Sequence, residues 1–519
     1  MTARARPSLD RATVRDVIDK AASVNPERVF LVTPETGRRY DYGALKTDAQ
    51  ETARRLASLG LKKGEPVSFM LGNGSAAVNL LLGSMYGGFV SAPLNTAAGP
   101  SQIAYAIEHS ETRILFVSSE FRGLLNESLK ETDVEPRIID TDLDTGPDWP
   151  TAEKNVKTLP QVKSGDDALL MYTSGTTGNP KGVLLTHRNV LAGGANTADA
   201  HGLTKDDRGL CVLPLCHINA QIVTVFGPLV SGGSVTMPHR FSVSRFWHWV
   251  IDFECSWFSV VPTIISYLAH DHHPPPREQL RKVRFGRSAS APLPPVLHET
   301  FENKFGIHIV ETMGLTETAA QILSNPMPPE RGKYGSPGVA YGNEVKIVDR
   351  AGKDVPPNTE GEIVVRGPNV MRGYLKNPEA TKEALDSQGW LHTGDLGRQD
   401  EDGYVFVTGR LKELIIKGGE NISPREIDDV LYSHPAVVEA GTVGIPDDHY
   451  GEEIVACVVI KDDVPCSEHD LIEYCAARVG AFKAPRAIYF MSDLPKGPSG
   501  KVQRRKLVSL IKEAFPTTI

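Results

Sequence analysis

Apolar residues recur with two different spacings along most of the chain. Residues 14–22 and 42–59 carry them at helical spacing, whereas residues 66–71, 89–93 and 113–117 are short apolar runs typical of buried strands. Alternation of helices with buried strands predicts a parallel sheet covered by helices. The alternation continues, with predicted strands at 210–215, 234–237, 257–261, 283–287 and 308–311 and predicted helices at 221–230 and 246–253.

The pattern changes after Pro337. Residues 344–349, 361–366 and 404–408 are short alternating strands between glycine-rich turns, which predicts a β-rich subdomain. The segment WLHTGDLG, at residues 390–397, is expected to be a loop between these strands.

A second boundary is predicted between residues 409 and 412. Beyond it, strands are expected at 414–416, 437–444 and 454–460. Ser423 and Glu426 match a capping box with Pro424 at the first helical position, so a helix is predicted from there to about residue 433. The expected fold class is α/β, with a large N-terminal region of layered sheets at 1–410 and a small mobile α+β domain at 411–519.

Composition and charge narrow the class of protein. The chain has 519 residues, 40% apolar and 23% charged, with a net charge of −8, which argues against a nucleic-acid scaffold. Glycine and asparagine interrupt the uncharged stretch at 66–107, so no membrane span is expected. The six cysteines form no CxxC pair and the N-terminus is charged rather than apolar. These features predict a cytoplasmic enzyme with reduced core thiols. A monomer or a homodimer is expected, and the sequence does not decide between them.

One polar stretch, residues 173–181, follows a predicted buried strand at residues 168–172 and ends in a lysine. Glycine allows backbone N–H groups to turn toward an anion, hydroxyls add donors and lysine adds charge, so the stretch predicts a phosphate-binding loop. Pro180 and Gly182 flank the lysine, which differs from a Walker loop, and a helix is expected to open over residues 184–191. A flexible polar surface loop is the alternative reading. The residues concerned are Thr173, Ser174, Gly175, Thr176, Thr177, Gly178 and Lys181.

Three further stretches follow in order: GLTE at 314–317, TGD at 393–395, and Gly409-Arg410 with a late Lys501. Each alone is a weak signal. Together with YTSGTTGNPKGV, GRLKELI, KGGENISPREID and SGKVQRR, they make the sequence resemble the acyl- and aryl-CoA synthetases of the adenylate-forming superfamily over essentially the whole chain. The details of RFGRSASAPL and LTETAAQILSNPMP look most like the oxalate-CoA ligase branch.

This resemblance implies a two-step reaction that uses ATP, Mg²⁺ and coenzyme A. A carboxylate attacks the α-phosphorus of ATP, and a thiol then attacks the resulting acyl-adenylate. By the resemblance, Glu317 binds Mg²⁺, a hard oxygen-seeking ion, and Thr316 donates to the α-phosphate. Asp395 accepts the ribose hydroxyls with Arg410 behind it, and Lys501 bridges the carboxylate and the α-phosphate.

The resemblance also places the remaining ligands. Adenine is expected between the loop that begins at residue 288 and residue 313, where the family has an aromatic side chain and this chain has methionine. A hinge at Lys412 would bring the C-terminal domain over the site for the thiol step. The residues implied for nucleotide and CoA are Ser288, Ala289, Ser290, Met313, Gly314, Gly418, Gly419, Tyr450, Phe482, Lys483 and Arg486.

The acid pocket is expected to be polar. Its implied residues are His217, Gln221, Arg287, Ser288 and Gln321. Polar residues suit a short polar acid, such as oxalate, another dicarboxylate or a sulfoacetate-like acid. Where the oxalate branch has a histidine shortly after its Thr-Glu pair, this chain has Ala320 beside Gln321.

Three alternatives stay open at this point. The first is a ligase for medium-chain or aryl acids. The second is an adenylating enzyme that loads a separate carrier protein, although no carrier-like serine motif is present. The third is a nucleotide-binding regulator that has kept the fold without catalysis, against which Lys501, Glu317 and Asp395 argue.

Overall fold

A computed structural model describes residues 9–151, 156, 158–173, 179–271, 273–461, 464–497 and 502–514. The helices are α1 Val14–Val24, α2 Tyr42–Ser58, α3 Ser75–Gly87, α4 Pro100–His109, α5 Arg122–Leu129, α6 His187–Ala200, α7 Gly227–Ser231, α8 Val243–Asp252, α9 Pro262–Ala269, α10 Pro295–Phe305, α11 Pro378–Ala384, α12 Pro424–Tyr432, α13 Glu468–Val479 and α14 Arg504–Ala514.

The strands are β1 Val29–Thr33, β2 Arg38–Asp41, β3 Pro66–Met70, β4 Val90–Pro93, β5 Ile114–Val117, β6 Arg137–Asp142, β7 Gly146–Pro147, β8 Asp167–Thr173, β9 Lys181–Thr186, β10 Arg208–Cys211, β11 Ser234–Thr236, β12 Trp257–Val260, β13 Phe285–Ser288, β14 Ile309–Leu315, β15 Ala320–Ser324, β16 Val339–Ala340, β17 Glu344–Val348, β18 Gly361–Arg366, β19 Gly373–Tyr374, β20 Leu391–Gln399, β21 Val405–Arg410, β22 Ile415–Lys417, β23 Glu420–Ile422, β24 Val437–Asp447, β25 Gly451–Ile460 and β26 Ala487–Phe490.

Two large mixed sheets form the N-terminal part. Among the described residues, one has the order β19-β9-β8-β4-β3-β5-β6-β7 and the other β16-β15-β14-β13-β12-β10-β11-β1-β2. Their central strands pair in parallel, as in β3 with β4 and in β12 with β13. Parallel pairing follows from the alternation of helices and strands, since each strand returns through a crossover helix. The expected α/β class is confirmed.

Two smaller sheets complete the fold. The predicted β-rich subdomain is an antiparallel sheet of order β17-β18-β20-β21, and the C-terminal sheet has the order β23-β22-β25-β24 with β26 beside β25, as far as the structure describes the chain. The C-terminal sheet has its own apolar cluster, which includes Ile427, Ile454 and Leu471. A separate core runs through the N-terminal part and includes Phe116, Phe226 and Trp257.

One predicted helix has an unexpected form. Residues 219–226, in the segment predicted as a helix at 221–230, form a π-helix that α7 continues. π-Helical turns are rare and are frequent at functional sites. No helix in the described part of the chain combines the length and the apolar character that crossing a bilayer requires.

Candidate functional site

The predicted phosphate loop connects two antiparallel strands. β8 pairs with β9 up to Thr173 opposite Lys181, so these two residues mark the last described pair of the hairpin. Ser174, Gly175, Thr176, Thr177 and Gly178 lie outside the described residues. The lysine is therefore fixed in register by a sheet.

The predicted start of the helix at residue 184 is wrong. Residues 181–186 form β9, because KGVLLT pairs with the buried strand β8 and its Val183 and Leu185 are fully buried. The helix α6 begins at His187 instead. Thr186 and Asn189 form a capping box there, which satisfies free backbone N–H groups at the start of the helix.

The stretch that contains Thr316 and Glu317 is a tight turn between β14 and β15. It closes with Ala319 and Ala320 at φ values of 44° and 73°, a conformation that costs energy for residues other than glycine. Ala320 carries the peptide oxygen against which Gly314 packs, and a Cβ on Gly314 would lie 1.6 Å from that oxygen. Gly314 is thus required by close backbone approach, and the turn holds Glu317 in a half-buried position.

Tyr374 connects Glu317 to Lys181. The Tyr374 hydroxyl donates to Glu317 Oε1 at 3.0 Å, and Lys181 Nζ lies 4.8 Å from the centre of the Tyr374 ring. The structure thereby brings the predicted phosphate lysine and the predicted metal carboxylate to one side chain. Sequence reasoning did not find Tyr374, because a tyrosine after a glycine in a polar segment carries no signal of its own.

Glu317 has the chemistry expected of a magnesium ligand. One of its oxygens accepts from Tyr374, and the other has no hydrogen-bond partner among the described residues. No group of three or more His, Cys, Asp or Glu in the described ranges is arranged to hold a metal by itself. A single carboxylate fits Mg²⁺, which usually keeps waters and is bound jointly by one or two carboxylates and substrate phosphates.

Asp395 and Arg410 lie opposite each other on β20 and β21. Arg410 Nε donates to Asp395 Oδ1 at 2.5 Å. Burial lowers the pKa of Arg410, but the charge and hydrogen bond of Asp395, together with Glu413 and Glu317, outweigh it, so the net pKa is raised. The expected loop at residues 390–397 is wrong, since residues 391–399 form β20, which pairs with β18 on one side and with β21 on the other.

Arg287 is the largest buried polar group at the strand ends. It is 1% exposed, and its guanidinium donates to Asn219 Oδ1 at 3.0 Å, Ser259 Oγ at 3.2 Å and Gln321 Oε1 at 3.4 Å. None of these partners is charged, and no carboxylate of the described residues is paired with it. Burial lowers the pKa of Arg287 to about 9. A buried cation without a counter-ion is costly and is ready to accept an anion.

The sheet register explains this cluster. Ser259 and Arg287 are direct neighbours on the parallel strands β12 and β13, so their side chains leave the sheet on the same face. Asn219 lies on the π-helix, and its Nδ2 donates to Ser290 Oγ at 3.3 Å. Asn219 lies in sequence between His217 and Gln221, which were both predicted for the acid pocket. Ser259 was not predicted, and nothing adjacent to it in sequence indicates this contact.

His217 and Gln221 lie at the start of the π-helical segment. Gln221 Nε2 donates to the Leu215 carbonyl at 2.6 Å and is fully buried, which is the arrangement of a structural amide. Burial opposes charge on the His217 ring, but the adjacent Cys216 outweighs it and raises the pKa of His217. His217 Nε2 is buried without a partner among the described residues. The predicted substrate roles of both residues stay predictions.

The predicted adenine loop is held close to β14. Thr312 Oγ1 donates to the Ser288 carbonyl at 3.3 Å, and Ser290 has a φ of 73°. Ala289 is buried, whereas Met313 is half-buried and pairs with Leu323 on β15. The loop and residue 313 are therefore neighbours, as a nucleotide site there requires.

Four of the residues predicted for CoA lie together at one turn of the C-terminal sheet. Gly418 and Gly419 make the turn between β22 and β23 at φ values of 58° and 85°. A Cβ on Gly418 would lie 3.4 Å from both Tyr450 and Phe482, whose rings are 6.3 Å apart. Lys483 and Arg486 form ion pairs with Glu426 and Asp447.

The predicted capping box at Ser423 is wrong. The Ser423 hydroxyl makes no bond to the start of α12 and donates to the Thr408 carbonyl on β21 at 2.5 Å. Glu426, the other member of the box, is paired with Lys483 at 2.8 Å. Both side chains therefore bond residues outside the helix, and neither caps its first turn.

The hinge and the late lysine can be placed only in part. Lys412 is exposed in a short turn at 411–413 between β21 and β22. Lys501 lies outside the described residues. Two described residues that flank it in sequence, Lys496 and Val502, form an isolated antiparallel bridge.

Comparison with known proteins agrees with this arrangement. Residues 18–375 match the AMP-binding enzyme family, and residues 426–501 match the AMP-binding enzyme C-terminal domain. A sulfoacetate–CoA ligase of Cupriavidus necator is 46% identical over 98% of this chain and 100% of its own length. An oxalate–CoA ligase of Arabidopsis thaliana is 35% identical over 96% of this chain and 98% of its own length.

Solved structures show the same fold. ATP-bound MatB from Rhodopseudomonas palustris has a TM-score of 0.87 and 29% identity over 97% of this chain and 100% of its own. The o-succinylbenzoate CoA synthetase MenE from Bacillus subtilis, in complex with the acyl-adenylate OSB-AMP, has a TM-score of 0.83 and 31% identity over 95% of this chain and 97% of its own. The chain belongs to the AMP-binding enzyme family, and within it to the AMP-forming acid–CoA ligases.

Proposed function

We propose that the protein is an ATP-dependent ligase that joins CoA to a small acid carrying a second anionic group, with sulfoacetate as the first candidate. The observation that carries this proposal is the buried and charge-unpaired Arg287. The relative named as a sulfoacetate–CoA ligase, which matches over its full length, supports the same choice.

Arg287 fits the second anion of such a substrate. Two buried donors of this cluster, Arg287 Nε and Gln321 Nε2, have no partner among the described residues. Both can donate a hydrogen bond to a sulfonate, which offers three acceptor oxygens. Charge-assisted bonds of this kind are among the strongest in proteins, so they would offset the cost of burying the guanidinium.

The remaining site residues would perform the adenylation step. Lys181 would neutralise the outer phosphates of ATP, and Asp395, held by Arg410, would accept the ribose hydroxyls. Glu317 would hold Mg²⁺, which supplies charge neutralisation at the phosphates when bound. Because both reactants are anions, the barrier is largely electrostatic, and cations placed in advance lower it most.

The thiol step would use the C-terminal part. We infer that residues 411–519 are the mobile domain, with the hinge at Lys412, and that Lys501 serves adenylation. The glycine turn at residues 418–419 would let the pantetheine arm pass close to the backbone, beside Tyr450 and Phe482. A cytoplasmic location is part of the proposal, because ATP and CoA are supplied there and all six cysteines are free thiols.

A substrate screen tests the proposal. Pyrophosphate release and acyl-CoA formation are measured with sulfoacetate, oxalate, malonate, acetate, octanoate and benzoate, each with and without CoA. Sulfoacetate is expected to give the highest kcat/KM, and acetate, which lacks the second anion, about 100-fold less. Equal turnover of acetate or octanoate would contradict the proposal. Turnover that needs a carrier protein instead of CoA would contradict the assignment of the thiol.

A further inference from the structure

Tyr374 lies between the hairpin that carries Lys181 and the turn that carries Glu317. Its strand β19 adds to the edge of the first sheet, with Tyr374 opposite Val183 on β9. Leu375 N donates to the Gly182 carbonyl at 2.7 Å, on one side of the phosphate hairpin. The backbone of this segment is therefore fixed directly beside Lys181.

The same segment is also fixed to the turn that carries Glu317. Met371 N donates to the Glu317 carbonyl at 2.7 Å, and the Tyr374 hydroxyl donates to the Glu317 carboxylate at 3.0 Å. Glu317 is thus held by a main-chain bond and a side-chain bond from residues three apart. Within the described residues the turn and the phosphate hairpin belong to different sheets, and residues 371–375 hydrogen-bond to both.

The phenol is suited to a donor role. A tyrosine hydroxyl keeps its proton at neutral pH, since its ordinary pKa is about 10, and the Glu317 carboxylate can only accept from it. A permanent donor fixes which carboxylate oxygen is occupied and leaves the other for a cation. The ring face, at 4.8 Å from Lys181 Nζ, attracts the ammonium and limits where the long side chain can go.

We propose that Tyr374 is a positioning residue for adenylation, which orients Glu317 toward Mg²⁺ through its hydroxyl and Lys181 toward the ATP phosphates through its ring. The inference rests on the proposed function, since it needs an ATP site between these residues. The two effects belong to different parts of one side chain. Two substitutions can therefore separate them.

The test is equilibrium binding of ATP at varied free Mg²⁺, without acid, so that no turnover occurs. Tyr374→Phe removes the hydroxyl and keeps the ring. It is expected to raise the Mg²⁺ concentration for half-maximal ATP binding about tenfold, as loss of a group that orients a metal ligand does. The Kd for ATP at saturating Mg²⁺ is expected to stay within about twofold of the wild type, since the ring still faces Lys181.

Tyr374→Leu removes the ring as well. It is expected to raise the Kd for ATP at saturating Mg²⁺ by about threefold beyond the phenylalanine variant. The matched control is Tyr404, whose ring lies 4.8 Å from Lys333 Nζ and contacts neither Glu317 nor Lys181. Tyr404→Leu is expected to leave the Mg²⁺ dependence unchanged.

Two results would overturn the inference. One is an unchanged Mg²⁺ dependence in Tyr374→Phe. The other is a lower melting temperature with equal loss of ATP binding at every Mg²⁺ concentration, which indicates a merely structural tyrosine. Failure of the wild type to bind ATP with Mg²⁺ would instead count against the proposed function.

Discussion

Asp395 and Arg410 are joined across two antiparallel strands, with Arg410 Nε donating to Asp395 Oδ1 at 2.5 Å. Asp395 is 7% exposed, so the arginine holds a carboxylate that is almost wholly buried. Because only one of its oxygens is used by Nε, the pair is a prepared acceptor for hydroxyl groups rather than a closed ion pair.

Asp395→Asn is therefore expected to impair the use of ATP more than it lowers the stability of the fold. The amide keeps the shape but loses charge and places an NH₂ group where an acceptor is needed. We expect kcat/KM for ATP to fall about 100-fold, with KM for the acid little changed. The control is Glu344→Gln, since Glu344 pairs with Arg366 at an exposed position of the same sheet. Equal losses in the two variants would contradict the nucleotide role.

Arg287→Met is expected to remove substrate binding without loss of stability. The substitution deletes a buried charge that has no charged partner in the described residues, and such changes are often neutral or stabilising. Saturating sulfoacetate is expected to raise the melting temperature of the wild type by about 3 °C and to leave that of the variant unchanged. Differential scanning fluorimetry with and without the acid measures both. A ligand-induced shift that persists in the variant would exclude Arg287 as the anion site.

Gln321→Glu is expected to block the same anion site, because the new carboxylate would compete with the substrate for Arg287. Gln321 Oε1 already accepts from Arg287 Nη2 at 3.4 Å, so a carboxylate of nearly equal size would pair with the guanidinium. We expect KM for the anionic acid to rise about 100-fold while the Kd for ATP stays constant. Steady-state kinetics with each substrate varied in turn checks this. A matched control is Gln399→Glu on β20, where the side chain bonds only the Gly403 carbonyl at 3.1 Å.

Ser423→Ala tests the contact between the proposed mobile domain, residues 411–519, and β21. The hydroxyl that donates to the Thr408 carbonyl is lost, and α12 loses no cap because Ser423 makes none in this arrangement. We expect adenylation to slow about fivefold, as one hydrogen bond of about 1 kcal/mol implies, while thioester formation from supplied acyl-adenylate is unchanged. Ser433→Ala, which removes a hydroxyl bonded to the Val430 carbonyl within the same helix end, is the control. Slower thioester formation in Ser423→Ala would contradict this division.

Lys501→Ala tests the proposed division between the two half-reactions. Loss of the cation is expected to reduce adenylation by about 1,000-fold, because charge develops between two anions in that step. Thioester formation from supplied acyl-adenylate is expected to stay near the wild-type rate. Single-turnover measurements of each half-reaction decide the matter, and equal losses in both would contradict the assignment.

The periodic pattern of the sequence predicted the apolar strands better than the strands that carry polar residues. The buried strands at 257–261 and 361–366 were found because apolar runs report burial directly. The strands β9 and β20 were missed because glycine, lysine and histidine dilute their pattern, and only pairing with neighbours makes them strands. Local propensity does not contain that information.

The candidate site shows the same limit at the level of single residues. Lys181, Glu317 and Asp395 lie in short segments with unusual composition, so the sequence singled them out. Tyr374 reaches the site through a contact with a residue more than fifty positions away, and nothing adjacent to it in sequence indicates this contact. Ser423 matches a capping pattern, yet its hydroxyl donates to the carbonyl of Thr408 on β21 instead.

The uncompensated charge of Arg287 has a consequence for the amount of this protein in a cell. A molecule that is less stable when empty populates its unfolded forms more often, and proteases remove those forms. Binding of an anion shifts the balance toward the folded form in proportion to ligand concentration. We expect the half-life of the protein to lengthen when its acid is abundant, so that supply of the acid adjusts enzyme abundance without any change in transcription.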